Sequence, residues 1–147
     1  MVKGQIIKNK AQLTQVAKEV LRMKPGIIAL EGPMGAGKTT FTKVLAKQLG
    51  IQENITSPTF VLNVQYTNPK SQIKLEHIDC WRMEEFGELE QIGLQKMIEE
   101  KSLVVIEWAE KFQNQISKIK DQKIIWVKIE YGDKINERRI SYEDIGH

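Results

Sequence analysis

Eight residues in the first third of the chain constrain its fold more than anything else in it. Gly32-Pro33-Met34-Gly35-Ala36-Gly37-Lys38-Thr39 sets two glycines, a lysine and a hydroxyl residue at the spacing of a phosphate loop. Such a loop works only where it leaves a buried strand and opens a helix. Both neighbours are present. Gly26-Ile27-Ile28-Ala29-Leu30 reads as a short strand buried on both faces. Phe41, Val44, Leu45 and Leu49 mark an amphipathic helix from about Lys38, closed by Gly50. Glycines let the backbone curl until successive N–H groups point at phosphate oxygens, and the helix start adds its positive dipole end.

The candidate nucleotide cradle therefore runs through Pro33, Met34, Gly35, Ala36, Gly37, Lys38, Thr39 and Thr40. Pro33 donates no N–H, but it lies early in the loop. Lys38 is expected to reach the β- and γ-phosphates, and Thr39 to offer its hydroxyl to Mg²⁺.

The rest of the chain reads as strands alternating with helices. Residues 10–23 place Leu13, Val16, Ala17, Val20 and Leu21 on one helical face, and Pro25-Gly26 ends that helix. Residues 60–66 and 73–79 look like two strands joined by a polar turn, and residues 84–101 like a helix with an interruption at Gly93. Leu103-Val104-Val105-Ile106 is a further central strand, and residues 124–131 and 138–142 form a closing hairpin. The expected fold is a three-layer α/β sandwich with a mostly parallel, partly antiparallel central sheet. At 147 residues, with no repeat and no linker, the chain reads as a single domain spanning 1–147.

A phosphate-bound Mg²⁺ needs an acidic partner at the end of a neighbouring buried strand, the edge where open α/β sheets bind ligands. Glu107 directly follows the Leu103 strand and is the first candidate; Asp79, ending the strand of residues 73–79, is the second. Ser57-Pro58-Thr59-Phe60 is a polar turn feeding a strand, either a plain turn or a switch whose Thr59 approaches the γ-phosphate. Trp108 can shield the site, contact a partner, or pack in the core or at an edge. Arg82 has phosphate or the nearby Glu84 and Glu85 as partners. His77 and Cys80 flank Asp79, but nothing in their spacing marks a nucleophilic pair.

Composition closes off several classes. Runs such as residues 27–30 and 103–106 are too short to span a bilayer, and the N-terminus shows no signal peptide. One cysteine excludes an internal disulfide framework and the usual multi-cysteine zinc sites, so a reducing cytoplasmic setting is expected. The net charge of +3 implies no DNA or membrane partner. Its distribution is uneven: residues 1–50 carry 9 basic and 2 acidic side chains, a balance of +7. That balance fits either a basic face drawing an anion or ordinary solvated lysines.

Taken in order, four segments resemble the motifs of the bacterial TsaE (YjeE) ATPases. They are residues 32–40, Ser57-Pro58-Thr59-Phe60, His77-Ile78-Asp79-Cys80-Trp81-Arg82 and Ile106-Glu107-Trp108-Ala109-Glu110. The Ser-Pro-Thr-Phe and Glu-Trp signatures are together more specific than the phosphate loop. The resemblance implies a P-loop NTPase-like fold and a protein of tRNA threonylcarbamoyladenosine (t6A) biosynthesis that binds ATP and Mg²⁺ and hydrolyses ATP weakly alone. It implies the partners TsaB and TsaD, with tRNA reached indirectly through their complex. By motif match, Lys38 and Thr39 bind phosphate and Mg²⁺, Glu107 holds Mg²⁺, Asp79 assists the metal or positions water, and Thr59 joins a switch-like loop. Two positions depart from the family's usual pattern: Pro33-Met34 stands in place of Asp-Leu, and Trp81 in place of Tyr.

A small-molecule kinase is the main rival. It needs an acceptor pocket and an arginine-bearing lid. This chain has four arginines, Arg22, Arg82, Arg138 and Arg139, and no insertion long enough for a lid. A regulatory GTPase is weaker still, because neither Asn-Lys-x-Asp nor Asp-x-x-Gly occurs.

Overall fold

The computed structural model describes residues 2–56 and 62–146. In chain order these form β1 (Lys3–Ile7), α1 (Lys10–Arg22), β2 (Ile27–Glu31), α2 (Lys38–Gln48), β3 (Asn63–Thr67) and β4 (Lys74–Asp79). There follow α3 (Gly87–Gln91), α4 (Leu94–Glu99), β5 (Leu103–Glu107), a 3₁₀ turn (Ala109–Phe112), α5 (Gln113–Ser117), β6 (Ile124–Tyr131) and β7 (Arg138–Asp144).

One seven-stranded sheet runs in the order β1-β7-β6-β2-β5-β4-β3. Its centre, β6-β2-β5-β4, is parallel, and antiparallel strands flank it on both sides. The two hairpins expected from the sequence supply β7 and β3, and β1 adds an edge strand beyond β7. The glycine loop thus leaves the sheet from the middle of its parallel part.

Side-chain alternation on the central strands builds the two faces. Ile28, Leu30 and Val105 pack with Val16, Val20, Phe41 and Leu45 of α1 and α2. Ile27, Ala29, Val104 and Ile106 point the other way, onto Leu89, Met97, Phe112 and Ile116. Both faces are therefore covered, which is why β2 and β5 read as continuous apolar runs rather than alternating ones. Fully burying each of the valine, leucine and isoleucine side chains among them contributes about 1.5–3 kcal/mol.

The interruption expected at Gly93 is present: residues 84–101 hold two short helices, α3 and α4, with Gly93 at φ 96° between them, a backbone that only glycine adopts freely. Two details differ from the sequence reading. β1 carries no legible pattern, since Lys3 to Ile6 are exposed and only Ile7 is buried; pairing with β7 makes it a strand. The 3₁₀ turn and α5 were likewise unmarked, being one turn each. The start of the strand expected over 60–66 lies outside the described residues, and β3 within them runs from Asn63 to Thr67.

Candidate active site

At the C-terminal edge of the parallel strands the register sets Glu107 beside Leu30 on one side and beside Asp79 on the other. The glycine loop follows β2 there, and a cleft of about 400 Å³ opens between the three strand ends. Met34, Gly35, Gly37, Lys38, Thr39 and Thr40 form one wall; Asp79, Trp81, Arg82, Glu107 and Trp108 form the other, with Leu62 at its margin.

The loop's shape depends on two glycines above all. A Cβ at Gly32 would run into the carbonyl of Ile129, so the chain can turn off β2 only with glycine there. Gly37 stands at φ 111° immediately before α2, a left-handed conformation that turns the chain into the helix. Lys38 and Thr39 are therefore the first two residues of α2, at its positive end.

Lys38 is only 5% exposed. Its Nζ donates to the carbonyls of Gly32 and Pro33, the latter at 3.3 Å, and lies 3.6 Å from the centre of the Trp108 ring. Burial lowers its pKa, while the negative fields of Glu110, Glu107 and Asp79 act to raise it. Trp108 itself sits at φ 59°, a left-handed backbone that is uncommon for a bulky residue, and its ring meets that of Trp81 at 4.5 Å between centres with a tilt of 42°.

Thr39 Oγ1 donates toward Glu107, 3.0 Å from Oε2 and 3.3 Å from Oε1. Glu107 is 3% exposed, and its Oε2 also accepts from Nε2 of the fully buried His77. Asp79 Oδ1 accepts from the backbone N–H of Trp81 at 2.8 Å. Burial is the main cause raising the Asp79 pKa, opposed by that hydrogen bond and reinforced by Glu107. Glu110 accepts from the Gly32 N–H at 3.3 Å, and burial raises its pKa as well.

Across the loop the β6–β7 hairpin holds the backbone. The Tyr131 hydroxyl bonds the Met34 carbonyl, and Arg138 Nε donates to the Ala36 carbonyl at 3.0 Å.

Lys38, Thr39, Thr40, Asp79 and Glu107 thus converge on one cleft with Met34, Gly35 and Gly37. Pro33 is an exposed part of the loop, and Ala36 is buried beneath it. Thr59 and the rest of its Ser-Pro-Thr-Phe segment lie outside the described residues. Cys80 is fully buried, and burial, reinforced by the charge of Asp79, pushes its thiol to about 12, the opposite of an activated nucleophile. Sequence reasoning assigned no site role to Glu110, Tyr131 and Arg138, and weighed His77 only as a partner of Cys80. His77 had a usable signal, since it lies two residues before Asp79 and so on the same face of a strand.

A glycine loop between a central parallel strand and a helix, faced by strand-end carboxylates, defines the P-loop NTPase-like class of three-layer α/β sandwich. The fold matches the crystal structure of Bacillus subtilis YdiB with a TM-score of 0.75 and 27% identity, over 99% of this chain and 87% of that one. The family described as threonylcarbamoyl adenosine biosynthesis protein TsaE matches residues 7–140. The Bacillus subtilis protein named tRNA threonylcarbamoyladenosine biosynthesis protein TsaE is 37% identical over 125 residues, 84% of this chain and 73% of the relative. The Aquifex aeolicus protein of that name is 35% identical over 115 residues, 76% and 80% of the two chains. The chain belongs to the TsaE family of t6A biosynthesis proteins. Among the described residues no helix is long and apolar enough to cross a membrane.

Proposed function

We propose that the protein is a Mg²⁺-dependent ATPase of t6A biosynthesis, slow by itself and stimulated by the partner proteins TsaB and TsaD in the cytoplasm, with tRNA reached through their complex. The observation that carries this reading is the pairing of Thr39 Oγ1 with the Glu107 carboxylate, 3.0 Å apart, where the glycine loop becomes α2.

The residues present fit a Mg²⁺–nucleotide. Thr39 and Glu107 are hard oxygen donors already facing each other, and a small dication held by one or two carboxylates takes its remaining ligands from phosphate and water. When bound, Mg²⁺ offsets the charge that gathers on the phosphates. Thr39 and Glu107 would hold it. The backbone from Pro33 to Gly37 and the start of α2 would cradle the phosphates, with Thr40 at the rim and Thr59 as a further nucleotide contact. Lys38 would exchange its carbonyl partners for phosphate oxygens, a stronger charge-assisted interaction. The Trp108 ring and the negative fields of Glu110, Glu107 and Asp79 would favour the ammonium beside the cleft. Asp79, beside Glu107 in the register and with one oxygen tied to the Trp81 amide, would orient the attacking water.

The test is ATP hydrolysis by the pure protein, alone and with TsaB, TsaD and tRNA. A low rate that rises at least several-fold with the partners supports the reading. Rapid phosphoryl transfer to a metabolite by the protein alone would overturn it in favour of a small-molecule kinase.

A further inference from the structure

We propose that His77 is a positioning residue for the metal carboxylate: it holds Glu107 in the orientation that meets Thr39 and the nucleotide's cation. The inference rests on the metal reading of Glu107 and goes beyond it to a residue that touches neither nucleotide nor metal.

The geometry comes from the strand register. Asp79 lies directly beside Glu107 and His77 beside Val105, so on the α2-facing side of the sheet His77 sits one step deeper than the carboxylate. From there Nε2 donates to Glu107 Oε2, the same oxygen that Thr39 approaches at 3.0 Å. Oε2 is thereby held from two sides, by β4 and by α2. Oε1 has only the longer Thr39 contact at 3.3 Å among the described residues, which makes it the oxygen with capacity left for a cation.

The other ring nitrogen argues that His77 is there for this bond. Nδ1 is buried and has no hydrogen-bond partner among the described residues. A fully buried imidazole with one nitrogen unmatched is a poor choice for packing alone, since an apolar side chain would leave nothing unpaired. Carboxylates that bind metals are commonly fixed by such outer hydrogen bonds, and removing one typically weakens metal binding or activity by about 10- to 100-fold.

Two substitutions separate positioning from packing. In His77→Gln the amide nitrogen reaches about as far as Nε2 and keeps a donor for Glu107; in His77→Asn it stops short. Binding of ATP is followed by the emission of Trp108 and Trp81, first in EDTA and then across a Mg²⁺ titration, with melting temperature recorded for each variant. The expected result is wild-type ATP affinity in EDTA for both variants. The Mg²⁺ midpoint should rise by about 10- to 100-fold in His77→Asn and stay within about threefold of wild type in His77→Gln. A wild-type midpoint in a folded His77→Asn overturns the proposal, and so does an equal loss in both variants. If His77→Asn does not fold, a raised midpoint in folded His77→Gln overturns it. A wild-type protein whose ATP binding ignores Mg²⁺ overturns the metal reading of Glu107 itself, a distinguishable failure.

Discussion

The two flanks of the glycine loop are built from opposite materials. On the β4–β5 flank stand buried ionisable groups: Lys38, Glu107 and His77 are each 5% exposed or less, and Asp79 and Glu110 are half-buried beside them. On the β6–β7 flank the contacts are peripheral and aimed at backbone. Half-exposed Tyr131 and partly buried Arg138 take the carbonyls of Met34 and Ala36, and the guanidinium lies 5.1 Å from the centre of the Tyr131 ring. One flank concentrates charge where low polarity strengthens it; the other fixes the shape of the loop on which that charge acts. Stability and chemistry should therefore separate when the two flanks are altered one at a time.

The largest separation is expected on the charged flank. Glu107→Ala should lower Mg²⁺-dependent ATP turnover by about 100- to 1000-fold, the usual cost of losing one electrostatic stabiliser. ATP affinity in EDTA should barely change. Lys38→Ala should do the reverse in emphasis, weakening ATP binding itself. Turnover and equilibrium binding measured on both variants check the pair, and normal hydrolysis by Glu107→Ala would remove the metal role from that residue.

A smaller effect belongs to the hairpin. Arg138→Ala removes the bond to Ala36 and the guanidinium over Tyr131, while none of the side chains that line the cleft is itself altered. Folding stability should fall by about 1 kcal/mol, because the bond is only partly buried. ATP affinity should fall about tenfold through misplacement of the loop. Chemical denaturation and a binding titration measure the two effects. If affinity falls without any loss of stability, Arg138 is touching the nucleotide and the contrast between flanks must be redrawn.

These two predictions also mark what was legible in the chain. Lys38, Thr39, Glu107 and Asp79 were readable because each stands at a local landmark, a glycine loop or the end of an apolar run. Arg138 and Tyr131 reach the loop across about a hundred residues of sequence, 102 and 97 positions from their partners, and no local pattern encodes such a contact. The hydrogen bond of His77 depends on the pairing of β4 with β5, which a single strand does not display. β1 went unread because an edge strand with four exposed residues has no buried face to write a period. The order of layers and the two flanking hairpins were readable, since buried parallel strands and polar turns leave composition signals.

The half-buried acids bring a subtler effect, a pH dependence of stability. Burial raises the folded pKa of Asp79 and of Glu110 above their unfolded values. The native state then keeps its protons to higher pH than the unfolded chain does. Their contribution is fully present below the unfolded carboxylate range and is lost as pH rises through the raised values. Glu110→Gln keeps an acceptor for the Gly32 amide and removes the charge, so its stability should decline less than wild type's as pH rises from about 4 to 7. Melting temperatures across that range decide it. A steeper decline in the variant would mean that the Lys38 ammonium, and not burial, dominates the carboxylate.

The last signal is chemical and lies just beneath the charged flank. Cys80 follows Asp79, packs among Ile78, Met83 and Ile106, and has a thiol pushed to about 12 by burial and the neighbouring carboxylate. At pH 8 only about one molecule in ten thousand would carry the thiolate, against a quarter or so for an unfolded chain whose thiol sits near its usual value. Alkylation of native protein by iodoacetamide should therefore be slower by at least about a thousandfold, and should proceed only as fast as the β4 end opens. The hairpin flank gives a control for where that opening begins. Arg138→Ala, which loosens the loop from the far side, should leave labelling unchanged in the native range if the two flanks open separately. Faster labelling in that variant would show that the shape-holding flank and the charge-holding flank unfold as one unit.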